Sequence, residues 1–464
     1  MNQLKKQFCY LFICLASVQA TAQPYALPDI SDPSYAVMSL AEERKLGRVI
    51  LAEARAQLPI IEDIEIQSYL RQLGQRILAH SKTNHIDFHF LLIKNPTINA
   101  FATPGGVLAF NDGLVLVSEN ESELGGVVAH EIAHVSQRHI ARRQALSSGS
   151  GLISSLSIIG AIIAAAYNSE LAELTLFGSA ALPVERQLSH SRNFEYEADR
   201  FGMQLMAAAG LDPWGMPAFF EKLQRKESRG LQIEFLRTHP LTISRLSEAQ
   251  QRAASYRKTF TKDRAEFQYA KARLLTISKI SESPQHADED IQNYHRALVL
   301  IERQQPRQAL EYLEKIPVEQ HHIPVKLAFA HAYRIIGNWD KAIAILDELN
   351  ELHPGRAAII YYLALALFKS GQQQKALAEI NAVAALHNYY PQFYTLGAQA
   401  ASQLGQNGVY HEYLADYYTT EGRLEAALQQ LTLAERSNSL HHSIRARIAA
   451  KRKDIEEFRK EMSL

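Results

Sequence analysis

The chain of 464 residues has only two cysteines, Cys9 and Cys14, both close to the N-terminus. Beyond them there is no cysteine for a disulfide or a thiolate metal ligand. It has no excess of charge either: 49 basic residues balance 49 acidic ones. Nothing in that balance selects nucleic acid or a strongly charged partner. Long apolar runs are scarce. Gly151 to Tyr167 (GLISSLSIIGAIIAAAY) is short for a membrane span and is interrupted by Ser154, Ser155 and Ser157. It reads as a buried helix. The alternative is a mobile apolar hairpin that contacts unfolded substrate or a membrane surface, with Leu171 to Leu182 packed on it. The N-terminus carries Lys5 and Lys6, an apolar stretch from Phe8 to Val18, and the small residues Ala20-Thr21-Ala22. This pattern predicts a signal peptide over residues 1–22, with Gln23 first after cleavage, and export from the cytoplasm. Cys14 lacks a good lipobox, which argues against a lipoprotein.

What the sequence does contain is His130-Glu131-Ile132-Ala133-His134. Residues four apart share one face of a helix, so His130 and His134 can hold the same metal ion. Glu131 stands where its carboxylate reaches a water on that metal, as a general base. The surrounding residues, from Leu124 through Arg143, contain no proline and have helical spacing, with a cationic end from Arg138 to Arg143. Two starts fit: Ser118 with Glu121, or Asn120 with Glu123. On one straight helix His139 falls about half a turn from His130, so it reads as structural.

A catalytic zinc takes three protein ligands and leaves one position open. The stretch from Asn193 to Arg200 (NFEYEADR) opens a second helix running to Gly210. Glu195 and Asp199 share a face, while Glu197 points away. One of the two carboxylates can bind metal, and the other can accept the spare ring N–H of a histidine ligand.

HEIAH followed by Ser191-Arg192, Glu195 and Asp199 resembles the zinc metallopeptidases that include the CaaX prenyl proteases and HtpX. The resemblance implies one Zn²⁺ held by His130, His134 and Glu195, with Glu131 as the catalytic base and Asp199 backing a ligand. Thr238-His239-Pro240, followed by Arg245, resembles a further element of that family. It makes His239 either an oxyanion stabiliser or a removable fourth ligand. The stretch from Asn95 to Gly106 also resembles the family and lies between strands expected over Asp87 to Lys94 and Val107 to Asn111. Its segment Asn99-Ala100-Phe101 would then be an edge that binds extended substrate by strand addition. Read without the family, the same stretch is a hairpin with a Pro-Gly-Gly turn.

After about residue 260 the texture changes to Ala-rich helices with a period of 34 residues. Gly337, Gly371 and Gly405 follow it, as do Ala330, Ala364 and Ala398, and Ala332, Ala366 and Ala400. This resembles the tetratricopeptide repeat. About four repeats are expected, with a half-repeat slip at Gly422. Stacked repeats form a solenoid that can recruit a partner or cap the preceding domain. Tyr361, Tyr362, Tyr389, Tyr390, Tyr417 and Tyr418 are candidate contacts, or interhelix core.

The expected fold is α+β and mostly α: a helical zinc-peptidase domain with a small sheet over residues 23–260, then an α-solenoid over 261–464. The family resemblance, joined to export and repeats, implies a periplasmic endopeptidase. It would degrade stalled or misassembled outer-membrane β-barrel proteins and assist their assembly. The β-barrel assembly machinery and the lipopolysaccharide translocon are the implied partners, with peripheral membrane contact besides. Two rivals remain at this level. One is a non-proteolytic periplasmic chaperone or adaptor; the other is a membrane-bound peptidase of the same family.

Overall fold

The computed structural model describes residues 34–81, 83, 85–146, 184–256, 264–279, 288–437 and 441–462. The signal-like segment 1–22 and the apolar stretches 151–167 and 171–182 lie outside these residues. Among the described residues, no helix is long and apolar enough to cross a membrane.

Two long helices open the fold. Helix α1 (Leu40–Gln57) starts on a capping box, in which Ser39 Oγ accepts from the Glu42 amide and Glu42 accepts from the Ser39 amide. Helix α2 (Ile64–Leu78) starts on Asp63, whose carboxylate accepts from the Ile66 amide. A three-stranded sheet follows: β1 (His89–Ile93), β2 (Ala100–Ala102) and β3 (Val107–Asn111), in the order β1-β3-β2. Strand β3 runs parallel to β1 and antiparallel to β2, with Phe101 opposite Ala109. All five residues of β3 are buried, as its unbroken apolar run requires of a central strand. Strand β2 pairs only with β3, so the hairpin and the edge foreseen in the sequence are the same object.

Helix α3 (Glu121–Ser136) carries the HEIAH motif and starts on Asn120, whose side chain accepts from the Glu123 amide at 2.8 Å. The sequence expectation of one helix through Arg143 fails. Arg138 takes a left-handed backbone (φ 52°), α3 ends, and α4 (His139–Leu146) begins in a new direction. The Arg138 side chain explains the break: it is buried on Glu43, 3.1 Å away, on Ser34 and on the Met38 carbonyl. The second site helix, α5 (Val184–Ala208), starts well before Asn193 and stops two residues short of Gly210. It crosses α3 closely at Gly202, where an added Cβ would lie 3.1 Å from the Ala129 carbonyl and the His130 nitrogen. Helices α6 (Gly215–Glu227), α7 (Glu234–Thr238) and α8 (Ile243–Ser255) complete this half. Its core joins sheet and helices through Leu92, Phe110, Val128, Ile132, Met206, Phe219 and Phe235.

Among the described residues the chain then forms α9 (Ala265–Ile277) and a succession of helix pairs. They are α10 and α11 (Glu289–Glu302, Pro306–Leu313), α12 and α13 (Ile323–Ile336, Trp339–Leu352), α14 and α15 (Ala357–Lys369, Gln373–Ala382), α16 and α17 (Gln392–Gln403, Asn407–Thr420), and α18 and α19 (Leu424–Glu435, His442–Met462). The 34-residue period has a direct cause. Gly337, Gly371 and Gly405 each stop a helix with positive φ, and the periodic alanines are buried where helices cross. The slip at Gly422 is the tight turn from α17 to α18.

The second half packs against both opening helices: α9 and α14 lie against α2, and the last helices meet α1, where Val49 and Ala52 pack with Ala415, Leu424 and Ile448. Arg273 of α9 grips Asp63 at 2.7 and 2.8 Å and Glu65 at 2.9 Å. His331 approaches Glu65, and Gln392 donates to the Glu62 carbonyl. Ile64 lies in the same apolar cluster as Leu327, Tyr362 and Phe393. The tyrosines follow this packing. Tyr362 and Tyr390 are buried, and Tyr389 bonds to Asp87 beneath the Arg71 guanidinium. Tyr361 packs edge-on against Phe393, and Tyr417 lies partly buried beside Tyr418. They are therefore interhelix and inter-half core before they are partner contacts.

Candidate metal centre

Three elements converge on one point. Helix α3 supplies His130 and His134 from one face, α5 supplies Glu195, and the turn after α7 supplies His239. One donor atom from each lies within 4.8 Å of all the others. His130 Nε2 is 2.9 Å from His134 Nε2, 3.3 Å from His239 Nδ1 and 3.4 Å from Glu195 Oε2. Glu195 Oε1 is 3.5 Å from His134 Nε2, and Glu195 Oε2 is 3.2 Å from His239 Nδ1.

These spacings suit a metal. A tetrahedral ion with bonds of about 2.0–2.1 Å sets its ligand atoms about 3.4 Å apart. Hydrogen bonding alone gives a poorer account, because three imidazole nitrogens and a carboxylate face one another with few protons to share. The electrostatics point the same way. Burial opposes a charge on His130, but Asp199 and Glu195 outweigh it and raise its pKa to about 10. Burial would also raise the Glu195 carboxyl, yet His239 and His134 hold it well below its ordinary range. Burial drives His134 well below its ordinary value. The carboxylates of the cluster therefore stabilise positive charge at its centre, which a bound cation can supply in place of a proton on His130.

Glu131 adds the feature a hydrolase needs. It is fully buried, and neither carboxylate oxygen has a hydrogen-bond partner. His239 Nε2 lies 3.5 Å from Oε1. Burial raises its pKa, which suits a group that takes up and releases a proton. A carboxylate left bare at 0% exposure is costly unless something enters beside it.

Asp199 stands where the i, i+4 argument placed it. Its Oδ1 is 3.0 Å from His130 Nδ1, although the alignment falls short of a proper hydrogen bond. It also binds Arg245 through both oxygens, at 2.7 and 2.9 Å. Glu197 turns away, as expected, to Arg142 and His139. Asn99, Ala100 and Phe101 are all buried, main chain included, and Ala102 at the end of the strand is half-buried. A small cavity links Ala102, Thr103 and Pro104, at the end of that strand, to His134.

Of the residues around the site, one keeps its expected place outside the donors and one escaped the sequence reading. His139 does not share the cluster, but its Nδ1 lies 2.9 Å from His134 Nδ1 while its ring stacks on Phe194. Half-turn arithmetic on a straight helix could not place it, because the helix breaks at Arg138. Arg245 figured only as part of a His-Pro element. In the structure it is fully buried behind the ligands. Its one sequence signal is a lone arginine in the first turn of α8, where the helix dipole disfavours a cation.

Comparison with known proteins agrees with this geometry. Residues 65–253 match Peptidase family M48, and residues 337–400 match the Tetratricopeptide repeat. The chain is 36% identical over 251 residues to the beta-barrel assembly-enhancing protease of Yersinia pestis, covering 54% of this chain and 51% of that one. It is 29% identical over 472 residues to the Escherichia coli protein of the same name, covering 97% and 96%. A Vibrio cholerae relative is 30% identical over 326 residues, 67% of each chain. The chain belongs to the beta-barrel assembly-enhancing protease family within peptidase family M48, and is a metalloprotease with tetratricopeptide repeats.

Proposed function

We propose that this chain is a periplasmic zinc endopeptidase that degrades misassembled outer-membrane β-barrel proteins and assists their assembly. The observation that carries the reading is the four-donor cluster with the bare carboxylate of Glu131 beside it. The donor set of three imidazoles and one carboxylate, at tetrahedral spacing, favours zinc over the oxygen-seeking ions. The name of the relatives supports a role in β-barrel assembly; the β-barrel assembly machinery and the lipopolysaccharide translocon are the partners that the sequence resemblance implies. The signal-like residues 1–22 support the periplasm. In this reading the peptidase domain runs to about residue 260 and the repeats follow.

When bound, zinc supplies Lewis-acid polarisation of the scissile carbonyl and a more acidic water. Every other part falls to the chain. His130, His134 and Glu195 hold the ion, and Asp199 keeps the His130 ring in place. Glu131 takes the proton from the attacking water and passes it to the leaving amine. The β2 edge aligns extended substrate by backbone pairing, which a folded barrel, with no free strand, cannot copy. His239 lies within 3.3 Å of both His130 and Glu195, which favours the fourth-donor role at rest. It must then swing out before a carbonyl can approach.

The deciding experiment is Glu131→Gln. Cleavage of an unfolded β-barrel substrate should fall by about 10²–10⁴-fold, the usual worth of a positioned base, with metal content unchanged. Undiminished cleavage removes Glu131 from the role.

A further inference from the structure

Arg245 is a charged side chain at 1% exposure, and it does more than fill space. Its Nε and Nη2 bind the two oxygens of Asp199, at 2.7 and 2.9 Å. Its Nη1 donates to the Pro240 carbonyl at 2.8 Å and lies 3.0 Å from Glu195 Oε2. Asp199 faces His130, Glu195 is in the donor cluster, and Pro240 follows His239 directly. One planar guanidinium therefore touches the support of one donor, a second donor itself, and the backbone next to a third. Lysine cannot reproduce this, because a single ammonium has no fixed fork. The Phe220 ring, 5.3 Å from the guanidinium carbon, closes the other side.

We propose that Arg245 is a positioning residue that ties the His239 turn to the helix bearing Glu195 and Asp199. The inference rests on the reading of the four donors as a metal site. It makes placement of His239 and support of His130 a single coupled event rather than two. Asp199 also reaches His239 by way of His130, so only substitutions of Arg245 itself isolate the guanidinium's share of the coupling.

The test uses the full chain without its signal-like segment, stripped of metal and titrated with Co²⁺ against a competing chelator. Folding of each variant is checked by circular dichroism. Arg245→Lys should weaken Co²⁺ binding by about 10–100-fold, the usual cost of losing a supporting partner. Combined with His239→Ala, its effect should shrink, because one arm of the clamp then has nothing to place. A folded Arg245→Lys protein with wild-type affinity overturns the proposal. So do effects of Arg245→Lys and His239→Ala that simply multiply. If Arg245→Lys does not fold, Arg245→Gln takes its place: a loss of Co²⁺ affinity that shrinks when combined with His239→Ala supports the clamp, and wild-type affinity or effects that simply multiply overturn it. His130→Ala is the control. If the wild-type chain binds no better than this variant, the site reading has failed, whatever Arg245 does.

Discussion

The two halves of this molecule are built on opposite principles. The metal centre gathers His130, Glu195 and His239 from elements far apart in the chain and packs them, with Asp199, Arg245 and Glu131, into one buried polar network. The solenoid repeats a local unit in which each helix packs on its neighbours in sequence, with small alanines at the crossings. A network that shares its partners fails as a whole when one is removed, whereas a solenoid loses stability in small, nearly additive steps. Part of the contact between the halves belongs to the first kind: Arg273, Asp63, Glu65 and His331 form a buried polar cluster beside apolar contacts such as Ile64 with Leu327.

That contrast can be broken at three levels. The largest effect is expected at the centre. Glu195→Gln should empty the site of metal and reduce proteolysis to background, as measured by metal analysis and cleavage of an unfolded substrate. Retention of a full equivalent of metal would remove Glu195 from the ligands. Next comes the seam. Arg273→Ala strands Asp63 and Glu65 without their cation and should cost about 3–5 kcal/mol. Denaturant unfolding reads this directly, and a loss below about 1 kcal/mol would mean that water already screens the cluster. The smallest effect lies within the solenoid. Gly371 has φ 85° at a helix end with open space around it, so Gly371→Ala meets backbone strain but no clash. It should cost about 1–2 kcal/mol and leave proteolysis unchanged. A larger loss, or one that reaches the metal site, would show that the repeats are not additive.

The same division governs what could be read in advance. HEIAH, the Glu195–Asp199 spacing and the 34-residue period all depend on neighbours along one helix or one repeat, so the residues state them directly. His139 was set aside for a sound reason on a false premise, since the helix was taken as straight. The bend comes from Arg138, whose partners Glu43, Ser34 and Met38 lie about a hundred positions earlier. The tyrosines of the repeats read equally as partner contacts or interhelix core, because nothing local reveals that α2 and Asp87 pack against them.

By itself, the sequence determined the metal chemistry, the family, the mostly helical α+β class and the repeat period. Each of these follows from side-chain identity at a fixed spacing on a regular backbone. The tertiary structure alone brought His239 beside His130 and Glu195, set Arg245 against Asp199, Glu195 and the Pro240 carbonyl, and packed α2 on the repeats. Those features depend on which distant segments come to share a buried, poorly hydrated space. Only there do the bare carboxylate of Glu131 and the fork of Arg245 exert their full electrostatic weight.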